Sequence, residues 1–239
     1  MAFSRNIRKA AFDMTMVQLI WAAWFVAILL IIFVGIRVFG GMIELNERAI
    51  SGYPFLDFIY QPARVFMLVI GLNSVSGFLV YFVKNGVTRK DYFYGAAAAS
   101  AAVALAIALS AGIASLLLPW KGIASEPPLI GSWAGSVAAY VLNLLVFYAA
   151  GWLIGSGFYR FDSNGGVLYI ILAVLLSVVI DVLWNLEFDG IGKLLFRISG
   201  FDAAWHFPFA ASVLGTLLLF GLMLWIVRMT TKRVRVKLK

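Results

Sequence analysis

Asp181 is the one acid inside the long apolar runs of this 239-residue chain. A carboxylate at membrane depth is held there by a partner or by a role in ion or substrate passage. Asp181 lies about one turn from the end of its run. At that level it reaches water and headgroups, pairs with Arg37 or Arg64, or belongs to a path; the structural roles are favoured. The only histidine, His206, and the stretch Gly155-Ser156-Gly157 fall on opposite sides of the membrane in the topology derived below, so a Ser–His nucleophile pair is not expected. There is no cysteine, which removes thiolate nucleophiles, disulfides and Cys-based metal sites. One histidine excludes H-E-x-x-H. Gly192-Lys193 continues into Leu194 and lacks the first glycine of a P-loop. The residues therefore argue against an enzyme: no catalytic, cofactor-binding or metal-binding set is expected in this chain.

A different kind of signal runs from Lys84 to Phe93. Thr88 and Asp91 have the [ST]-x-x-[DE] spacing of a helix start, where side chains satisfy backbone N–H groups that have no partner in the helix. Val87 and Tyr92 occupy the flanking positions of a hydrophobic staple. A helix from Arg89 to Leu118 would be about 45 Å long, against a hydrocarbon core of about 30 Å, so it must tilt or project. A projecting, capped, basic helix end is a docking surface or an ordinary capped loop.

The elements that carry these residues follow from composition. Hydrophobic residues make up 63% of the chain and charged residues 13%, whereas a soluble domain carries about a quarter charged residues. A soluble enzyme, a nucleic-acid-binding module and a receptor with a folded ectodomain are thereby excluded. Six apolar runs are long enough to span a bilayer: about 16–39, 62–83, 93–118, 132–154, 166–184 and 208–227. Their length calls for helices, since a barrel would alternate in segments of about ten residues. The fold class is all-α, a single polytopic transmembrane domain over residues 1–239. The first run lacks a small-residue cleavage site and reads as a retained span.

With the N-terminus placed inside, thirteen of the nineteen Lys and Arg residues fall on the inner side. This bias predicts six spans in the cell membrane with both termini cytoplasmic. Residues 1–15 read as an interfacial amphipathic helix. Phe3, Ile7, Ala10 and Met14 share one face, and Arg5, Arg8 and Lys9 turn toward anionic lipid. In the outer segment 185–207, Ile191, Leu194, Leu195 and Ile198 form an apolar stripe that Gly200 ends, giving an amphipathic or re-entrant hairpin. Gly151-x-x-x-Gly155 and the alanine-rich stretch from Gly95 to Ala104 permit close helix contact.

The loop and the topology together resemble the membrane subunit of bacterial ABC transporters of the type-2, exporter-like permease class. NGVTRKDYFYG, Asn85 to Gly95, is similar to the stretch that follows the second span in these permeases. GWLIGSGFYRFDSNGG, Gly151 to Gly166, is similar to the glycine-rich end of their fourth span. The resemblance implies that Gly86, Val87, Thr88, Arg89, Lys90, Asp91, Tyr92 and Phe93 form an ATPase-coupling region. It also implies a separate ABC-type ATPase subunit carrying ATP and Mg, and a second permease chain, either identical or related. The expected cargo is amphipathic or apolar: a peptide, an antibiotic or a lipid-like molecule. The alternative is a non-transporting accessory, immunity or sensor protein that binds a partner in the bilayer.

Overall fold

The computed structural model describes residues 5–39, 55–118, 132–184 and 207–232. Every element among them is helical: α1 (Arg5–Phe39), α2 (Phe55–Asn73), a π-helical turn (Ser74–Leu79), α3 (Val80–Lys84), α4 (Arg89–Leu117), α5 (Trp133–Leu183) and α6 (Phe209–Thr231). Six stretches are long and apolar enough to cross a membrane: Ile7–Phe39, Phe55–Lys84, Arg89–Leu117, Trp133–Phe161, Asn164–Leu183 and Phe209–Thr231. Large apolar side chains such as Trp24, Ile31, Leu117 and Leu218 stand exposed on the outside of the bundle. Only a lipid environment makes such a surface favourable.

Three expectations need correction. The separate interfacial helix over residues 1–15 is, from Arg5 onward, the first turns of a continuous 35-residue α1. Its faces are as read: Ala10 and Met14 are buried, while Arg8 and Lys9 are exposed. Burial ties this segment to α4, where a Cβ on Gly95 would stand 3.1 Å from the Ala11 nitrogen. The second span starts at Phe55, seven residues before Pro62. Phe55 packs edge-on against Phe33 of α1, at 5.2 Å between ring centroids, and Asp57 in the first turn suits the positive end of the helix. Pro62 lies inside the helix, past its first turn, and leaves the Phe58 carbonyl without its helical hydrogen bond.

The third correction concerns the fourth and fifth spans, which form one run of helical backbone, 51 residues long. Straight, it would measure about 76 Å. It is not straight: a Cβ on Gly157 would lie 2.4 Å from the ring of Tyr169, and one on Gly166 would lie 2.3 Å from that of Phe158. Residues twelve apart on a straight helix are about 18 Å apart, so α5 folds back between its two arms, Trp133–Phe161 and Asn164–Leu183. The outer segment 185–207 lies outside the described residues except for Phe207, and so do residues 1–4.

Contacts at the helix ends show that successive spans reverse direction. Ala10, Gly95, Arg160 and Thr230 gather at one end, with the loop 85–88. Phe33 with Phe55, Trp133 with Gly112, and Ser212 with Leu183 mark the other. Arg8, Lys9, Lys84, Arg89, Lys90, Arg160, Arg228 and Lys232 all belong to the first of these, the basic end.

The first arm of α5 is the hub. In its most apolar stretch 78% of residues are buried, against 39% or fewer in each other span. Its glycines allow that position. A Cβ on Gly151 would be 1.9 Å from the Leu68 carbonyl oxygen, one on Gly155 2.7 Å from that of Leu72, and one on Gly71 2.0 Å from that of Tyr148. The backbones of α2 and α5 therefore touch, as small residues permit in membranes. Gly151→Ala should cost about 1–3 kcal/mol or more through overpacking against backbone. Gly221→Ala, where a Cβ meets nothing within 4 Å, should be neutral or stabilise by about 0.5–1 kcal/mol. Melting of the purified proteins in detergent reads both; equal Tm values would refute the backbone contact.

Candidate functional site

The basic end is built from a tight corner. At the end of α3 the Gly86 N–H donates to the Val83 carbonyl at 3.1 Å and the Val87 N–H to the Phe82 carbonyl at 3.0 Å. This is the paired closure of a Schellman turn, and it needs a left-handed residue, supplied by Gly86 with φ of 80°. Two residues later Thr88 caps α4, its hydroxyl accepting from the Asp91 N–H at 3.1 Å. A helix stop and a helix start thus meet within five residues, each closed by its own local hydrogen bonds.

The eight residues expected to face a partner divide at this corner. Gly86, Thr88 and Lys90 are exposed, and Val87, Arg89 and Asp91 half-buried. Tyr92 and Phe93 are buried, at 2% and 8% exposure, and cannot fill a cleft on another protein. Phe93 packs on Trp152, and Tyr92 donates its hydroxyl hydrogen to the Ser74 carbonyl. The helical period turns these two positions inward while leaving Lys90 outside. The corner is joined to the end of α6. Arg89 donates to the Lys232 carbonyl at 3.5 Å, and Arg228 donates to the Arg89 carbonyl at 3.4 Å with its guanidinium over the Phe93 ring. Arg160 donates to the Met229 and Thr230 carbonyls at 3.0 and 2.9 Å, satisfying the last turn of α6.

Behind the corner lies a polar network that no motif announces. Tyr148 of α5 is 2.7 Å from the Ser74 hydroxyl, and Gln18 of α1 donates to the Tyr148 oxygen at 3.3 Å. Ser74 opens the π-helical turn, a local widening frequent at functional sites. Among the described residues Gln18 Oε1 and Trp152 Nε1 are buried without a hydrogen-bond partner, so the network is incompletely satisfied. The polar cluster Asn73, Ser74 and Ser76 within an apolar run was its only sequence signal. Gln18 and Tyr148, 130 residues apart, gave none.

At the opposite end Asp181 meets Arg64 in the only ion pair among the described residues. Arg64 is also stacked over Phe147 at 4.1 Å and donates to Gln61 at 3.5 Å. The pair thus clamps the second arm of α5 to α2, while the ring under the guanidinium, Phe147, comes from the first arm. Of the two partners expected for Asp181, Arg64 is the one it meets. No metal-holding group of three or more His, Cys, Asp or Glu occurs among the described residues. No family model, curated protein or solved structure matches the chain.

Asp181→Ala would leave the Arg64 charge buried without its counter-ion and should cost about 3–5 kcal/mol. Asp181→Asn keeps an acceptor and should cost less. The paired replacement of Arg64 by Met and Asp181 by Leu should recover most of the loss. Thermal unfolding in detergent closes this cycle; an Asp181→Ala variant as stable as the parent would show that the pair is not a clamp.

Proposed function

We propose that this multi-pass membrane protein is the permease subunit of an ATP-driven ABC transporter, exporting an amphipathic or apolar substrate. Two permease chains, identical or related, work with separate ATPase subunits that bind ATP and Mg. The chain sits in the cell membrane with its basic end and both termini in the cytoplasm, as the concentration of Lys and Arg there favours.

The observation that carries this reading is the corner at Gly86–Lys90. It is closed by its own turn and cap, is basic, exposes Gly86, Thr88 and Lys90, and continues directly into the core through Tyr92, Phe93 and Trp152. Two arginines bind it to the last turn of α6. A push on this corner from an ATPase is delivered at once to α4, α6 and the hub arm of α5. Exposed cations alone would serve to orient the chain, but a loop meant only to connect two spans does not need these ties. The contact surface is Asn85, Gly86, Thr88, Arg89 and Lys90, and Tyr92 and Phe93 transmit force behind it.

Single cysteines in this Cys-free chain test the topology. Cysteines at Lys84 or Arg160 should resist an impermeant maleimide added to intact cells, while those at Glu47 or Glu126 should react. Labelling at Lys84 would reverse the orientation. For coupling, a photo-crosslinker on a cysteine at Lys90 should capture an ATPase of the ABC class, identified by mass spectrometry. Reversing both charges, Arg89→Glu with Lys90→Glu, should weaken that ATPase's binding by about tenfold or more, as loss of interface anchors does. Unchanged binding and unchanged stimulated hydrolysis in a folded double variant would remove the basis of the transporter reading.

A further inference from the structure

Asp13 stands exposed on the first turns of the continuous α1, one turn after Lys9. There it lines a groove of about 490 Å³ between α1 and the π-helical turn with α3. Met14, Val17 and Trp21 form one wall with Asp13. Asn73, Gly77, Phe78, Tyr81 and Phe82 form the other. Among the described residues no side chain pairs with the Asp13 carboxylate, and no cation lines the groove. Trp21 and Tyr81 remain substantially exposed, at 43% and 62%, although Trp21 reaches Phe78 at 5.9 Å between centroids. The π-helical turn opens the second wall, and a Cβ on Gly77 would meet nothing within 4 Å.

An unpaired carboxylate at the end of an aromatic groove selects by charge and by polarity. The ring faces carry negative potential and attract organic cations, which the carboxylate reinforces. An anionic headgroup would be repelled by Asp13, and a hydrated metal ion would find one carboxylate among mostly apolar walls. From Asp13 to Trp21 is eight residues, or about 12 Å along the helix, room for a charged group and an apolar body. We infer that this groove binds a lipophilic organic cation, with the positive group at Asp13 and the apolar body along Trp21 and Phe78. Such a molecule is the substrate class for the permease proposed above, and its role as cargo rests on that reading. Binding itself needs no ATPase, so its failure leaves the coupling corner untouched, and failure of coupling leaves the groove intact.

The probe is radiolabelled tetraphenylphosphonium, with tetraphenylborate as an ion of the same shape and opposite charge. Both are titrated onto the purified chain in dodecyl maltoside by scintillation proximity. Saturable binding of the phosphonium and weak or no binding of the borate are expected. Asp13→Asn should lower phosphonium affinity by about tenfold, as loss of one charge-assisted contact does. Gly77→Leu, which fills the groove while keeping the carboxylate, should lower it at least as far. Asp91→Asn, which changes a helix-cap acid at the same end, should not. Melting and elution profiles matching the parent establish that the variants are folded, and Asp13→Asn is chosen because no described residue depends on that carboxylate. Equal affinity for the two ions would make the groove an apolar lipid slot and overturn the assignment. So would full affinity in folded Asp13→Asn, or no saturable phosphonium binding to the parent chain.

Discussion

Backbone contact between α2 and the first arm of α5 is the constraint on which the rest of this bundle depends. Lipid tails are as apolar as leucine, so helices in a membrane gain little from hiding apolar side chains from one another. What remains is close packing, and packing is closest where glycine removes the side chain. Gly71, Gly151 and Gly155 let the two helices meet carbonyl against Cα, a geometry suited to weak C–H···O contacts. With α5 drawn against α2, Tyr148 comes within reach of Ser74, Tyr60 within ring contact of Tyr140, and Phe147 under Arg64.

The polar groups inside the bundle are arranged in two sets of opposite character. The Arg64–Asp181 pair joins full charges and is enclosed by aromatic rings, an arrangement that fixes one geometry. The Gln18–Tyr148–Ser74–Tyr92 set is neutral, shares hydroxyls that can donate either way, and leaves Gln18 Oε1 and Trp152 Nε1 unmatched among the described residues. In a low dielectric a half-satisfied network is weakly committed to its present arrangement. Both regions hold hydrogen-bonding capacity in reserve: among the described residues Arg64 Nε and the Tyr60 and Tyr140 hydroxyls are buried and unmatched around the ion pair, as Gln18 Oε1 and Trp152 Nε1 are behind the basic corner.

Much of this architecture was legible in the sequence because it depends on local composition. Runs of apolar residues gave six spans, Thr88 and Asp91 gave the start of α4, and Gly151-x-x-x-Gly155 gave a close contact. The errors came where local signals conflict with continuity. Asp162-Ser163-Asn164-Gly165-Gly166 reads as a loop, yet the backbone there stays helical while reversing, since Gly157, Gly165 and Gly166 let the arms close on one another. The N-terminal amphipathic helix reads as a separate element, yet from Arg5 its backbone runs unbroken into the first span. Tyr92 and Phe93 follow three charged residues, and sequence position alone could not tell that both turn inward. Pairings across more than a hundred residues, Gln18 with Tyr148 and Arg64 with Asp181, depend on which helices become neighbours, and no single sequence states that.

An unbroken α1 has a mechanical meaning. It is a rod of about 52 Å, seated against Gly95 at its basic end and against Phe55 and Phe58 at the other, where Phe33 sits. Its one buried polar attachment along the way is Gln18, somewhat over a third of the distance from the basic end. Seated at both ends and stacked midway through Phe25 on Phe66, such a helix moves only if its neighbours move with it, so it ties the basic end of the bundle to the far one.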